Sequence, residues 1–230
     1  MNLPVVRDEL DLLESLLDLN QHRQVIELGC GAAQFSRQLL ERHPACEVTG
    51  LEVDARQHAK NLLNPQPQLQ FVQAGAQSVP FEAGRFDLAL MLKSLHHVPL
   101  DQMTQALAEV HRVLRPAGLL YVAEPVFAGA LNDVMRLFHD EEQVRAAAIR
   151  ALNEAVASEA WMHVSETHYQ VPVDYRDFAE FERRMLNVTY LDHQLDGATL
   201  EAVRARFESN MTADGAHFVR PMRVNLLRKG

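Results

Sequence analysis

The sequence predicts an α/β protein with a doubly wound, mostly parallel sheet and a C-terminal helical cap or insertion. Short, nearly continuous apolar segments alternate with amphipathic segments until about residue 125. This alternation is typical of parallel strands that helices cover on both faces. After Phe127 the pattern changes to an alanine-rich helical stretch that is followed by several aromatic residues. This change indicates a cap or insertion rather than another unit of strand and helix.

Five strands are predicted in the first part of the chain, each an apolar run bounded by polar, glycine or proline residues. They lie at residues 24–28, 47–53, 69–74, 86–92 and 118–124. Apolar residues spaced three and four apart predict the helices around them. These helices lie at residues 5–19, 35–44, 55–63 and 102–114. Asp54 and Asp101 are the expected N-caps of the last two helices, and Pro116 is expected to end the last one.

The second part of the chain is predicted to be mostly helical. We expect helices within residues 129–161, 175–186 and 197–207, and strands at residues 166–173 and 217–227. Pro221 favours an edge position or a bulge for the last strand, because proline donates no hydrogen bond to a sheet. We assign residues 1–230 to one domain. It consists of a cofactor-binding core (1–126), a mostly helical substrate or cap region (127–216) and a closing strand (217–228).

Composition limits the classes of partner. The chain has 230 residues, 47% of them hydrophobic, which favours a folded core over disorder. Its net charge of −9 and lack of a basic cluster argue against nucleic acid. No long apolar run or leader pattern occurs, so we expect no membrane insertion and a cytoplasmic location. A neutral or cationic small molecule fits this composition better.

Cysteine and histidine provide no metal-binding pattern. Cys30 and Cys46 are the only cysteines, and we expect them at opposite edges of the sheet as free thiols. His96 and His97 are adjacent, and neighbouring side chains of a helix or strand point in different directions. We therefore predict no metal ion.

The loop after the first strand has the features of a ligand site. Glu27, Gly29 and Gly31 lie between a strand and a helix, where glycine allows close approach and the helix N-terminus offers N–H donors. Glu52 ends the next strand, where a carboxylate can accept hydrogen bonds from both hydroxyls of a ribose. We expect this carboxylate at the surface. Together these residues predict a nucleoside-containing cofactor.

Two classes of cofactor fit such a site, a nicotinamide dinucleotide and S-adenosylmethionine. The dinucleotide motif requires glycine or alanine where this chain has Gln34. Glu27 would repel a pyrophosphate, whereas it would attract the ammonium group of S-adenosylmethionine.

Several motifs resemble those of the class I S-adenosylmethionine-dependent methyltransferases, in particular the small-molecule branch that includes quinone-ring methyltransferases. They are Val25-Ile-Glu-Leu-Gly-Cys-Gly31, Thr49-Gly-Leu-Glu-Val-Asp54, Val79-Pro-Phe81, Arg85-Phe-Asp-Leu88, Ser94-Leu-His-His-Val98 and the segment from Val113 to Pro125. The resemblance implies a Rossmann-like methyltransferase fold over residues 25–125. It also implies that Glu27, Gly29 and Gly31 surround the methionine moiety, that Glu52 binds the ribose with Val53 beside the adenine, and that backbone near Leu92 binds the ammonium.

The chain departs from that family at three positions. The family usually has glycine at the positions of Ala33 and Ala117, and alanine fits there if φ is negative. The loop Ala74-Gly75-Ala76 stands where the family has an aspartate that binds the adenine amino group. Gly75 has no side chain to do so, although the N–H of Ala76 could face the ring. We expect cofactor binding to be weaker by about 0.5–1.5 kcal/mol.

The resemblance predicts in-line methyl transfer to a small-molecule acceptor. The alternatives are a protein that binds S-adenosylmethionine for other chemistry or none, and a nicotinamide oxidoreductase. No catalytic residue is assigned, because methyl transfer depends mainly on positioning and exclusion of water. His97 is either a base or a packed loop residue, and His168, Tyr169 and Tyr175 are candidates for a pocket wall. The acceptor and the oligomeric state are not predicted.

Overall fold

The computed structural model describes residues 3–186 and 195–230, and within them the chain divides into two compact units. The first, here the sheet unit, consists of Asp8–Glu124, Val144–Thr167 and Arg223–Gly230. The second, here the aromatic unit, consists of Met1–Arg7, Pro125–Gln143 and His168–Met222. No helix within the described residues combines the length and the apolar character needed to cross a membrane.

Eight strands and eight helices occur in the described part of the chain. The strands are β1 (Gln24–Leu28), β2 (Glu47–Glu52), β3 (Leu69–Gln73), β4 (Phe86–Leu92), β5 (Leu114–Pro125), β6 (Trp161–Tyr175), β7 (Met211–Thr212) and β8 (Gly215–Lys229). The helices are α1 (Glu9–Leu16), α2 (Gln34–Arg42), α3 (Ala55–Leu62), α4 (Met103–Val113), α5 (Ala130–Met135), α6 (Glu142–Ala157), α7 (Phe178–Phe181) and α8 (Gly197–Glu208). Short 3-10 turns lie at Leu19–Gln21, Leu95–His97 and Leu100–Gln102, and a π-helical turn lies at Glu182–Leu186.

The strand order is β3-β2-β1-β4-β5-β8-β6, and β7 pairs with β8 outside this path. The five strands β1 to β5 are parallel to one another. The predicted fold class, a mostly parallel α/β sheet, is confirmed. Chain direction across the sheet reverses between β1 and β4, and in such sheets ligands bind beyond the carboxyl ends of the strands at this point.

The core of the sheet unit forms around its central parallel strands and α4. Its buried residues include Ile26, Leu28, Ala89, Met91, Leu107, Val110 and Val122. Ala148 and Leu152 of α6 and Trp161 of β6 belong to the same core. Helix α6 therefore packs in the sheet unit, although the sequence analysis assigned its residues to the cap. The assignment of residues 1–230 to a single domain stays a prediction.

The aromatic unit has a separate core. The Tyr175 ring lies 5.3 Å from the Phe181 ring and 5.9 Å from the Phe207 ring, measured between centroids. Tyr169 and Tyr175 are both buried, whereas His168 is exposed. Tyr175 packs among aromatic rings of its own unit, and its proposed place in a pocket wall stays a prediction.

Three element predictions in the first part of the chain need correction. Helix α1 is shorter than predicted, because the Asp8 side chain caps it by accepting a hydrogen bond from the Leu10 N–H at 3.0 Å. Asp101 lies within a 3-10 turn and does not cap α4, which begins at Met103 without a side-chain cap. Pro116 does not end α4 but lies in β5, which begins at Leu114. The pairing register between β4 and β5 shifts at this point.

Three predictions in the second part also need correction. The helical stretch predicted for residues 129–161 consists of two helices, α5 and α6, and ends where β6 begins at Trp161. The helix predicted for residues 175–186 is only a short α7 and a π-helical turn. Strand β8, which contains Pro221, lies between β5 and β6 in the sheet, so the predicted edge position is wrong. The bulge predicted as the alternative for this strand stays a prediction.

Candidate active site

The carboxyl ends of β1 to β4 bring the predicted site residues to one edge of the sheet. Strand register pairs Leu28 with Leu51 and Glu52 with Gln73, so the loops after these strands are neighbours. All the predicted cofactor residues lie in the sheet unit. They are Glu27, Gly29, Gly31, Glu52, Val53, Gly75, Ala76 and Leu92.

The loop after β1 depends on two glycines with left-handed backbone conformations. Gly29 has a φ of +76° and Gly31 a φ of +53°, which cost glycine little. A Cβ atom on Gly29 would lie 2.7 Å from Cβ of Ser94, so this glycine permits close contact with the loop after β4. A Cβ atom on Gly31 would have no neighbour within 4 Å. Gly31 therefore borders open space at the predicted ligand site.

Glu52 is not the surface carboxylate that we expected, since the residue is only 8% exposed. One carboxylate oxygen accepts a hydrogen bond from the Gly31 N–H at 2.9 Å. The other accepts one from the Asp54 N–H at 2.8 Å. Val53, which follows Glu52, is 63% exposed. The buried carboxylate therefore connects the end of β2 directly to the glycine loop.

Asn61 bonds to the carbonyl of the same residue, Gly31, and was not predicted from the sequence. Its side chain is buried, and its Nδ2 donates to the Gly31 carbonyl at 2.7 Å. Gln57, one turn earlier on α3, donates to Asn61 Oδ1 at 2.8 Å. Glu52 and Asn61 thus fix both polar groups of Gly31. No local pattern marks Asn61, because its partner lies 30 residues away in the sequence.

Glu27 is a buried carboxylate beneath the loop. It accepts a hydrogen bond from the Ser36 hydroxyl of α2, a second residue that the sequence analysis did not identify. Burial raises the pKa of Glu27 to about 7, because desolvation penalises the charged form more than the bond from Ser36 and the charge of Lys93 favour it. Glu27 can therefore change its charge near neutral pH.

The loop after β3 contains Gly75 and Ala76. Gly75 lies outside the left-handed region, so its backbone would accept another residue. Ala76 is buried in the core of the sheet unit. The Gln77 carboxamide packs against Gly75 and would contact a side chain at that position.

The loop after β4 is bonded to β1. The Ser94 hydroxyl donates to the Leu28 carbonyl at 2.7 Å, and the Lys93 N–H donates to the Ala123 carbonyl at 2.7 Å. Leu92 is half-buried at the end of the strand. The bond from Ser94 joins this loop to the end of β1, next to the loop that contains Gly29, and the bond from Lys93 joins it to β5.

The two adjacent histidines lie in a 3-10 turn after this loop. The prediction that their rings diverge is wrong, because their ring centroids are 4.1 Å apart. His96 is buried, and its Nδ1 pairs with a carboxylate oxygen of Glu124 at the end of β5. The other oxygen of Glu124 accepts a hydrogen bond from the Leu95 N–H at 2.9 Å. His97 is exposed.

The two alanines that replace family glycines have positive φ. Ala33 has a φ of +55° and Ala117 a φ of +61°. The condition under which alanine would fit, a negative φ, is therefore not met at either position. At both positions the backbone has the conformation that favours glycine. This conformation costs an alanine about 1–2 kcal/mol.

Both cysteines are buried free thiols, as predicted. Burial raises the pKa of the Cys30 thiol, and the nearby carboxylates of Glu27 and Glu52 raise it further. Cys30 is therefore a packing residue under the loop rather than a nucleophile.

A comparison with known protein families shows which family this part of the chain is similar to. Residues 26–122 match the family described as "Methyltransferase domain". Over this matched segment the chain is similar to a methyltransferase domain. The matched segment contains the glycine loop, Glu52 and the loops after β3 and β4, and it confirms the resemblance inferred from the sequence motifs.

The chain is also similar to parts of longer proteins. Trans-aconitate 2-methyltransferase from Deinococcus radiodurans is 34% identical over 113 residues, which cover 49% of this chain and 42% of that protein. Malonyl-[acyl-carrier protein] O-methyltransferase from Enterobacter lignolyticus is 32% identical over 114 residues, covering 50% of this chain and 43% of that protein. The chain therefore spans less than half the length of these two relatives.

A solved structure is similar over nearly the whole chain. The YcgJ protein from Bacillus subtilis superimposes with a TM-score of 0.69 at 15% identity, covering 96% of this chain and 97% of that protein. At this identity the similarity shows the fold alone.

The residues of the matched segment fit an S-adenosyl compound. Open space borders Gly31, where a ligand can approach the backbone closely. The Glu52 carboxylate has lone pairs beyond the two that Gly31 and Asp54 use, and can accept ribose hydroxyls. Glu27 offers a carboxylate for an ammonium group near the same loop.

Proposed function

We propose that this chain is an enzyme that transfers a methyl group from S-adenosylmethionine to a small-molecule acceptor. The observation that carries the proposal is the bond between the Glu52 carboxylate and the Gly31 N–H at the carboxyl edge of the sheet. It joins a ribose acceptor to a glycine loop that borders open space. The match of residues 26–122 to the methyltransferase domain supports the same function.

Each predicted residue has a chemical role in this proposal. Glu27, with Gly29 and Gly31, surrounds the methionine end, and the Leu92 backbone accepts from the ammonium. Glu52 accepts from the ribose hydroxyls through lone pairs that its bonds to Gly31 and Asp54 leave available. Val53, Gly75 and Ala76 lie along the adenine.

Methyl transfer requires little acid or base chemistry from the protein. S-adenosylmethionine supplies an electrophilic methyl carbon, so an acceptor lone pair forms the new bond while the carbon–sulfur electrons remain on sulfur. The chain must orient the acceptor in line and exclude water. An acceptor that carries a proton needs a base, and exposed His97 is the candidate that we retain.

The nature of the acceptor is proposed only as a class. The two relatives are named for different acceptors, trans-aconitate and a malonyl group on a carrier protein. We propose a small molecule rather than nucleic acid, because the net charge of −9 disfavours a polyanion. The two free thiols support a reducing compartment such as the cytoplasm.

Calorimetry with S-adenosylhomocysteine and, separately, with NADH tests the proposal. We expect S-adenosylhomocysteine to bind at one site and NADH not to bind. Binding of NADH alone would favour an oxidoreductase and overturn the proposal.

A second assay separates methyl transfer from mere binding. S-adenosylmethionine with a labelled methyl group is incubated with the protein and a small-molecule fraction of a cell extract, and labelled products are separated by chromatography. We expect a labelled product that the Glu52→Ala variant forms much more slowly. Binding without any labelled product would favour other chemistry or none.

A further inference from the structure

The Gln77 side chain occupies the space that a side chain on Gly75 would occupy. A Cβ atom on Gly75 would lie 2.8 Å from both Cδ and Nε2 of Gln77, and Oε1 is closer still. The end of the carboxamide therefore lies over the Cα of Gly75. A polar group is thus present where this chain lacks a side chain.

The backbone of this turn is fixed, while the carboxamide of Gln77 keeps its hydrogen-bonding capacity. The Ser78 N–H donates to the Gly75 carbonyl at 3.1 Å, and Gln105 Nε2 donates to the Gln77 carbonyl at 2.9 Å. Among the described residues, the Gln77 carboxamide itself has no hydrogen-bond partner. Gln77 is half-buried, so its rotation is restricted without being prevented.

The turn lies next to the proposed ribose site. Glu52 ends β2 and is paired in register with Gln73, which ends β3, and Gly75 follows two residues later. A nucleoside whose ribose binds Glu52 can therefore extend its base over the turn at residues 75–77. We propose that Gln77 hydrogen-bonds the edge of this base and determines which base is accepted. This inference rests on the proposed function.

The chemistry of a carboxamide makes a specific prediction about the base. Gln can accept from the 6-amino group of adenine and donate to an adjacent ring nitrogen, because a carboxamide has both donors and acceptors. Rotated by half a turn, the same group matches the 6-oxo group and ring N–H of hypoxanthine. A carboxylate only accepts, so it favours the 6-amino base and repels the 6-oxo base. Gln77 should therefore discriminate weakly between the two bases.

The test measures the affinities of S-adenosylhomocysteine and its 6-oxo analogue S-inosylhomocysteine by calorimetry. We expect the wild-type protein to bind both with similar Kd values. Gln77→Ala should weaken both by about three- to tenfold, the loss of one or two hydrogen bonds. Gln77→Glu should retain S-adenosylhomocysteine within a few-fold and weaken S-inosylhomocysteine by about tenfold or more. The control is Gln70→Ala, since Gln70 is exposed on β3 and its change should alter neither Kd.

A double variant tests whether positions 75 and 77 are interchangeable. Gly75→Asp alone requires the Gln77 carboxamide to move, which a flexible side chain can do. In Gly75→Asp with Gln77→Ala that space is free for the new carboxylate. We expect this pair to recover the S-adenosylhomocysteine affinity lost in Gln77→Ala and to reject S-inosylhomocysteine.

The outcomes distinguish this inference from the proposed function. If the wild-type protein does not bind S-adenosylhomocysteine, the proposed function fails, and this inference fails with it. If the wild-type protein binds but Gln77→Ala leaves both Kd values unchanged, only the inference is overturned. A loss of affinity in Gln77→Ala with no change of preference in Gln77→Glu would assign Gln77 a merely structural role, and would also overturn it.

Discussion

The Gly31 N–H donates to the Glu52 carboxylate at 2.9 Å, across 21 residues of sequence. This bond connects the glycine loop to the end of β2, so a change at Glu52 has two effects. It removes an acceptor from the proposed ribose site, and it leaves the Gly31 and Asp54 N–H groups without their acceptor.

Glu52→Ala should therefore weaken S-adenosylhomocysteine binding by about tenfold or more and lower the free energy of unfolding by about 1–3 kcal/mol. Calorimetry and urea denaturation measure the two effects. Glu47→Gln is the matched control, because Glu47 is exposed at the other end of β2. Normal ligand affinity in Glu52→Ala would contradict the ribose assignment.

Because of Glu27, the free energy of unfolding should fall as pH rises. The folded pKa of about 7 lies above the ordinary value of 4.5, so the folded state holds more protons between these values. The free energy of unfolding should fall across this window by on the order of 3 kcal/mol. Glu27→Gln removes this fall. We expect the variant to be more stable than the wild type at about pH 8 and similar at about pH 5.

Glu41→Gln, a change at an exposed glutamate, is the control for this pH comparison and should leave the pH profile unaltered. At high pH the Glu27→Gln variant should also bind S-adenosylhomocysteine more weakly, because the ammonium loses its carboxylate. A stability difference that does not depend on pH would contradict the titration of Glu27.

Asn61→Leu should loosen the glycine loop. It keeps a side chain of similar size but leaves the Gly31 carbonyl without its donor, which costs about 1–3 kcal/mol of stability. We expect S-adenosylhomocysteine affinity to fall by about three- to tenfold, because the loop is less well positioned. Asn64→Leu is the control at an exposed position just after the same helix. Equal affinities for the two variants would exclude a positioning role for Asn61.

Ala117→Gly should stabilise the protein. Ala117 is exposed with a φ of +61°, so glycine relieves backbone strain without loss of buried surface. We expect about 1 kcal/mol more stability, or a Tm higher by about 2–4 °C. Ala33→Gly relieves similar strain but removes a fully buried methyl group worth about 0.8 kcal/mol, so it should be nearly neutral. Thermal unfolding of both variants checks this difference.

The sequence predicted the parallel part of the fold well and the C-terminal part less well. Strands β1, β2 and β4 are buried over most of their length, because both faces of a central parallel strand are covered, whereas the edge strand β3 has no buried residue. The prediction for Pro116 was wrong because pairing of β5 with β4 already begins at Leu114. The prediction for Asp101 was wrong because a 3-10 turn that contains it precedes α4. The alanine-rich stretch after residue 129 gave no signal that α6 packs against the sheet core.

By itself, the sequence determined the five strands of the first part of the chain, the glycine loop and the carboxylates of Glu27 and Glu52, because strand periodicity and loop chemistry act over short segments. Only the tertiary structure decided that Glu52 is buried, that Asn61 holds Gly31, and that the Gln77 carboxamide lies over Gly75. It also decided the positive φ of Ala33 and Ala117. Such features depend on groups that are distant in sequence and meet only when the sheet forms, so no local pattern contains them.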